Sequence, residues 1–158
     1  MVPPRILPVL FFLLIIAGCT PIDLYEKYVT IPEHAWKSGF RPQFRFTIRD
    51  TSSPYQVYFV IRHSARYNYN NIYINVHAKQ PGSDSAQVSR IDVLLATNER
   101  GWLGSGMDDI YEHRAPLTPP GEEFFFTKPG EYEFTLEQIM REDPLRHVFS
   151  VGLRIEKK

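Results

Sequence analysis

The residues best equipped for chemistry are dispersed along the chain. The five histidines are His34, His63, His77, His113 and His147. No two of them have the spacing of a zinc-binding helix, and there is no second cysteine to complete a site. Ser105 lies in Gly101-Trp102-Leu103-Gly104-Ser105-Gly106, where a nucleophile elbow would need glycine at the position of Leu103. The same glycines lack dinucleotide-loop spacing and have no helical pattern after them, so they read as a bend with Trp102 packed over it. No metal is expected. The nearest candidates are Asp108, Asp109 and Glu112, hard oxygen ligands of the kind calcium takes, at a spacing unlike an EF-hand and equally suited to a solvated acidic loop. The carboxylates form no recognisable pair for glycoside hydrolysis. The one stretch suggestive of a small ligand is 67–77, Y-N-Y-N-N-I-Y-I-N-V-H. Aromatic rings stack on sugars and amides bond to hydroxyls, yet Asn68, Asn70 and Asn71 also suit turns. Candidate contacts to a protein partner or a glycan are Arg62, His63, Tyr67, Tyr69, Asn71, Tyr73 and Trp102.

The first residues fix a compartment. Met1 to Arg5 is a short basic start, and Ile6 to Ala17 is apolar, shorter than the about 20 residues that a spanning helix needs. Such a stretch reads as a signal-peptide core. It ends in Leu14-Ile15-Ile16-Ala17-Gly18-Cys19, which resembles a bacterial lipobox. Residues 1–18 are therefore expected to be cleaved and Cys19, the only cysteine, to carry a covalent lipid. No other cofactor is expected. One acyl chain binds a membrane marginally, whereas two or three on one residue anchor it firmly. Thr20 rather than Asp after the cysteine favours the outer membrane, by analogy with the enterobacterial sorting rule. No acidic cluster of the kind that marks surface export follows, so the periplasmic face is expected. Basic and acidic side chains balance at 18 each, with no Lys/Arg run, which argues against a nucleic-acid partner.

Beyond the leader, alternation of period two dominates. A tether with one strand near Leu24 to Thr30 spans 19–42, and a β-domain spans 43–158 with that first strand joining it. Strands are expected around Phe44-Phe46-Ile48, Tyr55-Val57-Phe59-Ile61, Ile72-Ile74-Val76, Ile91-Val93-Leu95, Tyr132-Phe134-Leu136 and Phe149-Val151-Leu153-Ile155. Residues 97–122 are irregular in this reading. Thr135-x-x-Gln138 has the form of a capping box, predicting a short helix that stops at Asp143-Pro144. Short strands in this number, with turn clusters between them, predict an all-β fold. The expected fold is an antiparallel two-sheet β-sandwich, jelly-roll-like, with at most one short helix.

Several stretches in order resemble the gliding motility lipoprotein GldH family of Bacteroidetes. They are Cys19 in its lipobox, Tyr25-Glu26-Lys27-Tyr28, Trp36 and Phe44-Arg45-Phe46 leading to Asp50, followed by Arg62-His63 with Tyr67-x-Tyr69-x-Asn71-Ile72-Tyr73. After these come Gly101-Trp102-Leu103-Gly104-x-Gly106 with Asp109-Ile110, then Gly130-x-Tyr132-x-Phe134 and Gln138-Ile139-Met140-Arg141. Pro144-Leu145 and Val151 to Lys157 close the set. The resemblance implies a cell-envelope lipoprotein needed for gliding in species that glide, working alongside type IX secretion and the surface adhesin machinery. It implies no catalysis and offers no active site. Members in species that do not glide imply an envelope role without motility. The expected partners are thus the membrane, through the lipid, and other envelope or gliding-machinery proteins. The alternative is a carbohydrate-binding envelope lipoprotein.

Overall fold

The structure, a computed structural model, describes residues 24–158. The leader, Cys19 and the first tether residues lie outside the described residues. Eight long strands carry the fold: β1 (Leu24–Thr30), β3 (Gln43–Ile48), β4 (Tyr55–Ser64), β5 (Asn71–Lys79), β6 (Ala86–Leu94), β10 (Ile110–Pro116), β11 (Gly130–Gln138) and β13 (Val148–Lys157). Five short ones fill the connections: β2 (Ala35–Trp36), β7 (Ala96–Thr97), β8 (Gly101–Trp102), β9 (Ser105–Met107) and β12 (Leu145–Arg146). One sheet runs β1-β13-β4-β10-β9 and the other β3-β11-β5-β6, and their pairings are antiparallel. Counting only the long strands from first to eighth, the sheets read 1-8-3-6 and 2-7-4-5. Two interleaved Greek keys of this order make a jelly roll, as the strand spacing predicts.

The alternation seen in the sequence becomes the core. Phe44, Phe59, Ile72, Ile74, Leu136, Val151 and Leu153 are fully buried between the sheets. Burial of one such side chain contributes about 1.5–3 kcal/mol. Phe46 gathers Tyr25, Phe126, Tyr132 and Phe134 at ring-centroid distances of 5.3–5.7 Å, closing the end where the chain enters. Trp36 is also fully buried, and its indole N–H donates to the Phe40 carbonyl at 2.8 Å.

Two local expectations are corrected. No α-helix follows Thr135: β11 continues to Gln138, and no α-helix occurs among the described residues. Gln138 is fully buried and bridges instead of capping. Its amide nitrogen donates to the Trp36 carbonyl at 3.2 Å, and its amide oxygen accepts from the Met140 N–H at 2.8 Å. Phe149 does not share the inward face of β13. A bulge between Val148 and Ser150 turns Val148 inward, leaving Phe149 half-buried and edge-on to His34 at 4.5 Å.

Candidate functional site

Strand β4 alternates Val57, Phe59 and Ile61 into the core and ends by delivering His63 to the same face. Strand β10, beside it, delivers Tyr111, His113 and Ala115 to that face, with Tyr111 opposite His63 and His113 opposite Ile61. The two imidazoles are stacked, 16° apart in plane, and their Nε2 atoms are 2.8 Å apart. His63 Nδ1 lies 2.8 Å from the Ser64 carbonyl. A carbonyl only accepts, so Nδ1 carries a proton and donates. In the neutral ring, His63 Nε2 must then accept, and the proton between the rings belongs to His113. Burial holds both imidazoles below their usual range, and for His113 the neighbouring His63 adds to the effect, pushing it down to about 4. Both are neutral near pH 7.

Aromatic rings enclose this pair. Trp102 stands edge-on to His63 at 4.5 Å, with Tyr67 at 5.1 Å and Tyr111 at 5.9 Å. Gly104 lies against its outer side. A Cβ there would sit 2.4 Å from the Glu112 carbonyl and 2.8 Å from the His113 ring, so only glycine fits. The pair forms a satisfied polar plug in an aromatic core. It has no carboxylate partner and no nucleophile within its hydrogen bonds.

The predicted contact residues do not form one surface. His63, Tyr67 and Trp102 join the buried cluster, their rings turned to each other rather than to solvent. Arg62 points to the opposite face of the same sheet, bonded to Glu112 at 2.6 Å and lying over the Tyr28 ring at 4.6 Å. The Tyr69 hydroxyl donates to Glu142 at 2.8 Å, a bond to the carboxylate that raises the phenol above its usual range. Asn71 and Tyr73 lie on the outer face of the other sheet, where Asn71 donates to Asp92 at 2.7 Å and Arg90 covers the Tyr73 ring at 5.1 Å. Nor do Asp108, Asp109 and Glu112 assemble. Glu112 is held by Arg62 and Arg114, and no group of three or more His, Cys, Asp or Glu is placed to hold a metal among the described residues.

Two features escaped the sequence reading. Strand β10 fell in the stretch read as irregular, and with it His113 and Tyr111. The period-two signal was there in Tyr111-x-His113-x-Ala115, but a histidine and an alanine are weak inward markers. The other is an ionic lattice on the outer face of the five-stranded sheet. Glu26 contacts Tyr28, Arg154 and Arg114, while Arg114 and Arg62 share Glu112. The Tyr28 hydroxyl bond, with help from the arginines, holds the Glu26 carboxyl below the usual range.

Two concavities lie beside strand β10. A groove of ≈ 660 Å³ runs between β6 and β10, with Leu94 and Leu103 on its walls. A second, of ≈ 650 Å³, lies between the β9–β10 hairpin and the Thr30–His34 region. Met107, 80% exposed, and Ile110, 46% exposed, line it. Ser105 and Glu112 belong to both grooves.

The profile of the GldH lipoprotein family matches residues 23–155. The chain is 26% identical over 156 residues to the gliding motility lipoprotein GldH homolog of Christiangramia forsetii, covering 94% of this chain and 92% of that one. It is 23% identical over 152 residues to the gliding motility lipoprotein GldH of Flavobacterium johnsoniae, covering 92% and 91%. A solved structure, the periplasmic g-type lysozyme inhibitor PliG of Salmonella Typhimurium, aligns at a TM-score of 0.36 and 12% identity over 85% of this chain and 89% of that one. With its profile matched across nearly all of the jelly roll, the chain belongs to the GldH lipoprotein family.

Proposed function

We infer that this chain is a non-enzymatic lipoprotein of the cell envelope that supports gliding motility, or the associated envelope and type IX secretion machinery, through protein–protein contacts. The lipid on Cys19 would hold it at the outer membrane, facing the periplasm. One observation carries the contact reading. Met107 and Ile110 stand exposed beside a groove, at the end of the sandwich opposite the Leu24 end of β1. Large apolar side chains gathered at a concavity mark interaction sites. The groups best suited to chemistry support the non-enzymatic reading, since the two buried imidazoles satisfy each other and Glu112 is tied to two arginines.

The test is genetic and physical together. In a gliding host, the M107E/I110D double variant should be produced, folded and membrane-bound at normal levels, yet fail to restore spreading to a deletion strain. The Cys19→Ala chain should move to the soluble periplasmic fraction. Normal spreading by the double variant would remove this surface from the function, and spreading by the clean deletion itself would remove the motility role.

A further inference from the structure

Strand β6 is the outer strand of its sheet: β5 pairs with one of its edges along Ala86–Leu94, and among the described residues no strand pairs with the other. The direction of its backbone groups follows from its neighbours. The Leu95 amide donates to the Asn70 carbonyl at 2.7 Å, so Leu95 and every second residue before it turn their N–H and C=O toward β5. Consistently, the Tyr73 carbonyl accepts from Ile139 on the far side of β5, so its partner Asp92 turns away from β5. Val88, Arg90, Asp92 and Leu94 thus offer their backbone donors and acceptors to the open edge. A free row of this kind is a template for another strand.

The side chains of the same four residues lie on the outer face of the sheet, in the order apolar, basic, acidic, apolar. Val88 is 53% exposed and Leu94 57% exposed. Their cross-strand partners within the chain are polar, His77 for Val88 and Asn71 for Leu94. Arg90 and Asp92 have no ion-pair partner in the chain among the described residues; Arg90 rests on the Tyr73 ring and Asp92 accepts from Asn71. This order is its own complement when reversed. We propose that β6 pairs antiparallel with β6 of a second copy about a two-fold axis at Ile91, joining two four-stranded sheets into one.

The chemistry selects the register. With Ile91 opposite Ile91 of the partner copy, each Arg90 faces the other copy's Asp92 and each Val88 faces the other copy's Leu94. The outward-turned residues then form the hydrogen-bonded pairs and Ile91 a non-hydrogen-bonded pair, as an antiparallel ladder requires. Shifting the axis by one residue places Arg90 opposite Arg90, or Asp92 opposite Asp92. Like charges directly opposite are destabilising, so the neighbouring registers are disfavoured by the residues that favour this one. The ladder stops at Leu94 because the strand bends there: the Leu95 and Ala96 amides share the Asn70 carbonyl, and the Leu95 carbonyl accepts from Leu103 at 2.8 Å. The pairing is isologous, the commonest closed assembly. It does not depend on the contact surface at Met107 and Ile110.

Cross-linking in intact envelopes tests it on the full chain. Across a non-hydrogen-bonded pair the Cα atoms lie about 4.5 Å apart, within disulfide reach. Under copper–phenanthroline oxidation, Ile91→Cys should give a disulfide dimer, whereas the wild-type chain and Ser89→Cys should not. In the Ile91→Cys chain, Arg90→Asp or Asp92→Arg alone should cut the dimer by about tenfold, and the R90D/D92R double swap should restore it. Protease resistance confirms folding of each variant, and all these positions except Ile91 are exposed. No dimer from Ile91→Cys, a dimer from Ser89→Cys instead, or a dimer indifferent to the single swaps would each overturn the proposal.

Discussion

His63 and His113 show how a residue type suited to chemistry is put to structural use. Each imidazole needs one donor and one acceptor partner when neutral, and here each supplies part of the other's requirement. The linkage follows from the direction of the shifts. Both rings are held below the usual value near 6.5, so the unfolded chain takes up protons first as pH falls. Their contribution is complete above about pH 6.5 and is lost on the way down to about 4. Urea midpoints should therefore fall between about pH 7 and pH 5, above the carboxylate range. His113→Gln keeps a donor but removes one titration, and should flatten that slope measurably. An unchanged slope would mean that His113 takes up its proton as readily in the folded chain as in the unfolded one. The sequence offered His63, Tyr67 and Trp102 as candidate surface contacts, and the structure turns their rings toward one another. Only the third dimension shows that β4 turns His63 inward and Arg62 outward, which splits the predicted contact set across two faces of one strand.

Among the elements, β1 and β13 are matched more closely than hydrophobic alternation alone requires. Tyr28 lies across Gly152, where an added Cβ would meet the Tyr28 ring at 2.7 Å and the Lys27 carbonyl at 2.8 Å. The carbonyl belongs to a paired strand and cannot retreat, so Gly152→Ala should destabilise by about 1–3 kcal/mol, read from the urea midpoint. The same substitution should disturb the Tyr28–Glu26 contact and the Arg62 guanidinium above the ring. Strands with strong inward residues, such as Phe44-Phe46-Ile48 and Ile72-Ile74-Val76, were legible from period two alone. Strand β10 was not, because it presents histidine and alanine to the core. The false helix after Thr135 came from a local capping pattern overridden by the long-range bond from Gln138 to Trp36.

At the scale of the molecule, the two-sheet antiparallel sandwich follows from the number of strands, their alternation and the turns between them. The lateral order does not, since it depends on which strands meet after long separations. Strand β1 closes the fold by pairing with β13, the other end of the chain. Removing residues 24–30 should uncover the β13 edge and yield aggregated rather than monodisperse protein on size exclusion. The same placement has a geometric corollary for the lipid. Strand β1 enters at the edge of the sandwich remote from β6. A two-fold axis through paired β6 strands stands normal to the joined sheet. Two acyl anchors sharing one leaflet would require that axis to be the membrane normal as well. The strands would then run parallel to the bilayer, and each dimer would lie flat, moored at its two far corners.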